Sequence, residues 1–194
     1  AFNLGAYAGY EKDGFFANAL AKYDFITADI ENASAGFDAS VSADTFGARG
    51  QVGYRWTTKG GFFLEPSASL EFQTSSLDDL NVGSASFAFD GFDGLRGQAG
   101  ARIGGETATG SGNIVTYYAG ARAVHEFAGD GQVSLSLPQS STTITNAPID
   151  TFGRVDLGIN IATKGRVTGF IEGNADISGN YNSFGGRAGL RIAF

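Results

Sequence analysis

The sequence predicts an all-β chain folded as an antiparallel transmembrane β-barrel of the outer-membrane type. Three observations carry that reading. Apolar and polar residues alternate with period two over nearly the whole chain, in segments of about 10 residues, whereas soluble strands average about five or six. Almost every Arg, Lys, Asp and Glu inside those segments falls on one parity, Asp93 being the main exception. No window holds the roughly 20 apolar residues that a membrane-crossing helix needs.

Composition sets the outer bounds. The 194 residues carry a net charge of −7, with 42% hydrophobic, 13% aromatic and only 17% charged residues. The charged share is well below the roughly 25% of a typical soluble domain, and the apolar content is too high for a disordered chain. Thirty glycines stand beside three prolines and no cysteine. Without cysteine there is no disulfide framework, thiolate metal site or cysteine nucleophile. The acidic balance argues against a nucleic-acid partner.

Taken in order, Phe2–Tyr10 alternates Phe2, Leu4, Ala6, Ala8 and Tyr10 against Asn3, Gly5, Tyr7 and Gly9. Phe15–Phe25 sets six apolar residues against Asn18, Lys22 and Asp24. In Phe46–Trp56 the polar parity holds Arg49, Gln51 and Arg55, and in Phe62–Thr74 it holds Glu65, Ser67, Ser69, Glu71 and Gln73. Phe92–Gly105 contributes Arg96, Gln98 and Arg102; Asn113–Ala128 contributes Thr116, Tyr118, Arg122 and Glu126. In Phe152–Thr163 the apolar Val155, Leu157, Ile159 and Ile161 oppose Arg154, Asp156 and Asn160. Arg166–Ser178 carries Thr168, Phe170, Glu172, Asn174 and Asp176 on its second face. In Asn182–Phe194 the residues Phe184, Leu190, Ile192 and Phe194 oppose Arg187 and Arg191. These are about nine strands.

Two architectures produce such a pattern. A soluble sandwich turns the apolar parity inward, whereas a membrane barrel turns it to lipid and lines a wet lumen with the charges. Three features favour the barrel. The polar faces are rich in Arg matched by carboxylates. Aromatics gather near strand ends (Tyr10, Phe15, Tyr54, Trp56, Phe62, Phe127, Phe194), as an interfacial girdle would. Glycine is abundant inside strands, where it permits close packing and curvature.

The connections alternate in length. Glu11–Gly14, Thr58–Gly61 and Thr163–Arg166 are short, with Gly104–Asn113 somewhat longer; Ile26–Thr45, Ser75–Gly91 and Gly129–Asp150 are long loops. Short turns belong to the periplasmic side and long loops to the outside, so the last strand runs inward and Gly179–Asn182 is short where a long loop is due. An odd count then starts the first strand outside the cell, and a closed antiparallel ring needs an even number. The expectation is that strands precede Ala1.

Several segments also resemble one family. LGAYAGYEKDGFFANALAKYDF (Leu4–Phe25) resembles the first matching hairpin of the autotransporter translocator domain of type V secretion, and QVGYRWTTKGGFFLEPSASLEF (Gln51–Phe72) its strand–turn–strand with a proline in the second strand. LRGQAGARIG (Leu95–Gly104) and TYYAGARAVHEF (Thr116–Phe127) are similar to the next two strands, and GGRAGLRIAF (Gly185–Phe194) to the C-terminal signature read by the barrel-assembly machinery. Asn18 stands where the family often has an acid. The resemblance implies a single domain, 1–194, holding the last nine strands of a twelve-stranded barrel and lacking its lumenal helix and first strands. It implies a monomeric barrel in the outer membrane of a Gram-negative bacterium, in contact with lipid and with its own passenger polypeptide, which it anchors and helps export. No cofactor, metal or enzymatic activity is expected. Some family members release the passenger by self-cleavage, and no residue here is assigned to that chemistry.

The candidate lumen-facing charges are Lys22, Asp24, Arg49, Arg55, Glu65, Glu71, Arg96, Arg102, Arg122, Glu126, Arg154, Asp156, Glu172, Asp176, Arg187 and Arg191, with Glu172 and Asp176 expected to pair with Arg187 and Arg191. Leu190, Ile192 and Phe194 form the candidate C-terminal assembly signal. His125, the single histidine, falls on the apolar parity and reads as an interfacial residue; the acidic pairs Asp78–Asp79 and Asp29–Glu31 fall in long loops and do not argue for calcium. The alternatives are a small stand-alone outer-membrane barrel, acting as a surface antigen, adhesin or structural membrane protein, and a soluble β-rich binding module.

Overall fold

A computed structural model describes residues 1–32, 37–146, 149–179 and 181–192. Nine strands form one antiparallel meander: β1 (Phe2–Lys12), β2 (Phe15–Asn32), β3 (Phe37–Tyr54), β5 (Phe62–Leu77), β7 (Ala85–Ala108), β8 (Ile114–Leu137), β10 (Thr151–Ala162), β11 (Val167–Ile177) and β12 (Asn182–Ile192). Three short strands lie off this path: β4 (Trp56–Thr57) pairs with β5, β6 (Leu80–Val82) with β7, and β9 (Ser140–Asn146) with β8. The sheet curls through 205°, just over half a circle.

The separation of β4 from β3 has a local cause. Pro66 stands opposite this break and has no N–H to give the ladder; pairing stops at Gly53↔Ser67 and resumes at Trp56↔Leu64. The Arg55 N–H points away from β5 and donates to the Gly14 carbonyl of the β1–β2 turn, at 2.7 Å. Gly14 (φ +86°) and Gly61 (φ +80°) hold left-handed turn positions where a side chain would be strained.

The long loops of the sequence reading are corrected. Most of each is strand: β2 and β3 rise 18 residues each, and β7 and β8 run 24. Within Gly129–Asp150, β8 and β9 form a hairpin that pairs Gly131–Leu137 with Ser140–Asn146 and turns over Pro138–Gln139. These Ser-, Asp-, Ala- and Gly-rich segments have weak intrinsic strand preference, and the register inherited from the ladder below carries them upward. Two irregularities mark the transition, between Asp90 and Asp93 and between Leu95 and Arg96. The second gives β8 an extra residue at Phe127. A single added residue reverses which face successive side chains occupy.

Burial runs opposite to that of a soluble sheet. The apolar parity is exposed: Leu4 67%, Leu157 58%, Ile171 59% and Leu190 78%. The best-buried residues stand on the charged parity: Glu65 at 2%, Asp176 at 5%, and among them Phe63, Tyr118, Val124 and Phe152. The charged face is the concave one, because Tyr118 on β8 reaches over β10 to bond Glu172 on β11. Only an inner surface brings strands two apart that close. Two rows of aromatics band the outer face. Tyr10, Phe15, Tyr54, Trp56 and Phe62 lie at the turn end; Phe2, Phe25, Phe72, Phe127 and Phe184 lie at the loop end, all exposed. From Phe62 to Phe72 is about ten residues, roughly 25 Å of height for a strand at the usual tilt, which matches an outer-membrane hydrocarbon band.

Candidate functional site: the polar concave face

Register brings the charges together in rows. Arg55, in the break between β3 and β4, stands beside Glu65 on β5, which faces Arg102 on β7. Glu65 accepts from Arg55 Nε at 2.6 Å and from Arg102 Nε at 2.9 Å, each arginine adding a second contact. Next along, Arg122 Nη2 donates to Asp156 Oδ1 at 2.5 Å. Arg154 holds Asp176 with two parallel bonds, at 2.5 and 2.6 Å. Nearer the loop end Arg96 binds Glu126, whose other oxygen accepts the Ile149 N–H at 2.8 Å. Lys22 and Asp24, two apart on β2, pair at 2.7 Å. Planar guanidinium forks suit such two-point contacts, and a half-buried carboxylate needs them to offset lost hydration.

A second row is aromatic and glycine. Phe63, Gly104, Tyr118, Gly158, Glu172 and Arg187 follow one another across six strands. The Tyr118 ring lies over Gly158, where a Cβ would overlap it, and its hydroxyl donates to Glu172. Arg187 binds the second Glu172 oxygen. The Phe63 ring covers Gly104 in the same way, 2.6 Å from where a Cβ would stand, and Phe170 covers Gly189 at 2.7 Å. Arginines cap these rings: Arg55 Cζ is 4.5 Å from the Phe63 centroid and Arg102 Cζ 4.9 Å from that of Tyr118. Glycine lets a ring lie flat on the wall, and the ring then presents its face to a cation.

All but three of the sequence-predicted charges join ion pairs. Arg49 and Glu71 stand directly opposite each other but form no ion pair among the described residues. Arg191 faces Thr168 rather than a carboxylate. The expected partnership on β12 is therefore half corrected. Glu172 does pair with Arg187, but Asp176 faces Ser183 on that side and Arg154 on the other, and takes Arg154. The inward aromatics Phe16, Phe63 and Phe152 were not singled out from the sequence. Their parity with Asn18, Glu65 and Arg154 marks them, but the glycines that accommodate them lie on neighbouring strands and become visible only with the register.

His125 Nδ1 lies 2.7 Å from Thr151 Oγ1, and its ring meets Phe127 edge-on at 4.6 Å. Asp79 accepts the Phe89 N–H at 3.2 Å and so tethers β6 to β7. Leu190 and Ile192 are exposed on the apolar face of β12; Phe194 lies outside the described residues.

The model of the autotransporter β-domain family matches residues 1–174. The chain belongs to that family. The autotransporter β-domain also has the fold of a solved relative, the β domain of the Bordetella autotransporter BrkA. The two agree at a TM-score of 0.67 with 20% identity, over 99% of this chain and 72% of that one. No curated protein sequence matches it. The antiparallel all-β sheet with its apolar outer face thus matches the β-barrel of that family, and the outer membrane is the family's setting.

Proposed function

We propose that this autotransporter β-domain anchors its own N-terminal passenger and helps export it across the outer membrane, with the concave face as the wall of the conduit. The observation that carries the reading is the inversion of burial: charges paired inside, Leu, Ile and Phe exposed outside. A wall of ion pairs, hydroxyls and amides keeps a passing polypeptide hydrated, and because the carboxylates are matched by arginines it offers no large net charge to trap one.

The ring is completed by strands beyond these nine. The first and last strands of an odd-numbered meander run parallel, so an odd number of further strands restores antiparallel pairing; three give the twelve that the family resemblance implies. The barrel acts as a monomer. Assembly begins with the barrel-assembly machinery reading the C-terminal strand through Leu190, Ile192 and Phe194.

Protease shaving of intact bacteria producing the full-length protein tests the export reading. The expected result is digestion of a segment N-terminal to the barrel while the barrel stays protected. A full-length product with nothing N-terminal to the barrel at the cell surface refutes it. Phe194→Ala is expected to lower the yield of folded barrel in cells while leaving its unfolding midpoint in vesicles unchanged.

A further inference from the structure

Charge divides the molecule along its strands. In the loop-end segments 26–45, 75–94 and 128–151 every charged residue is Asp or Glu. The four basic residues off the concave face, Lys12, Lys59, Lys164 and Arg166, all sit at the opposite, turn end. All four are exposed, and none joins an ion pair among the described residues. Their surroundings differ. Lys12 is flanked by Glu11 and Asp13, and the turn of Lys59 abuts Glu106, whose N–H donates to the Gly61 carbonyl at 2.8 Å. Lys164 and Arg166 share the β10–β11 turn, residues 163–166, which contains no carboxylate.

That turn is joined to its neighbour. The Lys164 N–H donates to Asn113 Oδ1 at 3.3 Å. The Lys164 side chain lies across Gly112 (φ +77°), where a Cβ would overlap its Cε and Nζ. Its ammonium is thereby held over the β7–β8 turn, Thr109–Asn113, whose side chains are hydroxyls and one amide. Thr163 closes the β10–β11 turn from within, its N–H and hydroxyl both donating to the Val167 carbonyl, at 3.0 and 2.9 Å. Two cations therefore stand on a paired platform of turns that carries no acid of its own.

The same strands bear an open apolar groove on the outer face. It holds about 680 Å³ and is lined by Phe62, Tyr117, Ala119, Leu157, Ile159 and Ile171 among others. Tyr117 is three residues inside the start of β8 at Ile114, so the groove begins roughly 10 Å from the turns. A phospholipid bridges that gap, with its phosphate at the rim and a chain in the membrane band. A four-residue turn beside the aromatic belt carries its cations no farther than the headgroup layer, so a polymer deeper in the periplasm is a poorer fit.

We propose that the paired β7–β8 and β10–β11 turns bind an anionic phospholipid of the periplasmic leaflet. Lys164 and Arg166 take the phosphate, and an acyl chain lies in the groove over Ala119. Attraction of each cation to an anionic headgroup supplies the selectivity, about fivefold apiece, and the groove supplies the apolar contact. The inference rests on the outer-membrane setting of the family, with short turns on the periplasmic side, and not on passenger export.

The test uses the full-length protein in phosphatidylcholine vesicles. A trace of phosphatidylglycerol or phosphatidylcholine carrying a photoreactive acyl chain is added, and labelled peptides are located by mass spectrometry. The phosphatidylglycerol probe is expected to label the groove strands about 25-fold more than the phosphatidylcholine probe, fivefold for each of two cations. Lys164→Gln combined with Arg166→Gln should bring that ratio close to one, and Lys164→Arg should retain it. In the wild-type protein 1 M salt should lower it. Ala119→Leu fills the groove and should reduce labelling by the phosphatidylglycerol probe. Heat-modifiable electrophoretic mobility reports that each variant is folded. Equal labelling by the two probes, labelling concentrated at the loop end, an unchanged ratio in the folded double variant, or unchanged labelling of Ala119→Leu overturns the proposal. So does a double variant that loses co-sedimentation with peptidoglycan sacculi while keeping its lipid ratio, which assigns the cations to the cell wall. A wild-type protein that does not insert into the vesicles fails the membrane reading itself, before any ratio is compared.

Discussion

Gly158→Ala is a one-methyl change with a consequence worked from three strands. The added Cβ would stand under 3.0 Å from the Cζ, Oη and Cε1 atoms of Tyr118, so the ring must lift. Lifting it breaks the hydroxyl's bond to the Glu172 carboxylate, worth about 1.5–3 kcal/mol for a charged acceptor. It also unstacks the ring from Arg102, at about 0.5–1 kcal/mol for a partly exposed cation. The expected loss is about 2–4 kcal/mol, against a slight gain from replacing a strand glycine by alanine. The assay is denaturant unfolding in phospholipid vesicles, read by the mobility difference between folded barrel and unfolded chain. Tyr118→Ala completes a double-mutant cycle. Once the ring is gone, Gly158→Ala should cost close to nothing, so the two losses fall well short of adding. A Gly158→Ala protein with an unshifted midpoint refutes the ring-over-glycine account, and so does a double variant whose loss is the sum of the singles.

Three further predictions use the same preparation. Glu65→Gln strips the shared carboxylate from two arginines and should cost about 3 kcal/mol, whereas Arg55→Gln should cost less because Arg102 still holds Glu65; equal losses would mean that the three do not act as one cluster. Leu157→Arg, at a 58% exposed site midway between the aromatic bands, should cost about 2–4 kcal/mol in a bilayer. A shift within about 0.5 kcal/mol, the usual effect on a water-facing surface, would contradict the lipid-facing assignment. Trp56, the one tryptophan of this chain, should be quenched more by lipids brominated near the headgroup than at the chain end, since it lies in the turn-end band; the reverse order would move that band away from the interface.

The alternation of apolar and polar residues determined the fold class, the nine main strands and the parity that the charges of the membrane band share. It did so because a strand's side-chain period is fixed by backbone geometry and needs no partner. Leu157 and Asp156 are sorted to opposite faces before any neighbour is known. The motifs from Leu4 to Phe127 likewise carried the family. Which charge meets which was not legible, because register lies between strands. Asp176 has a candidate partner on either side, and only the offset that places it opposite Arg154 rather than Arg191 decides the pair. The same holds for Tyr118, whose place over Gly158 and bond to Glu172 join residues 40 and 54 positions away in sequence through a row that exists only in the curled sheet. The extensions above the membrane band were hidden for a different reason. Ser, Asp, Ala and Gly form strands there because long ladders below hand them a register, and two bulges then reverse the parity on which a sequence reading depends.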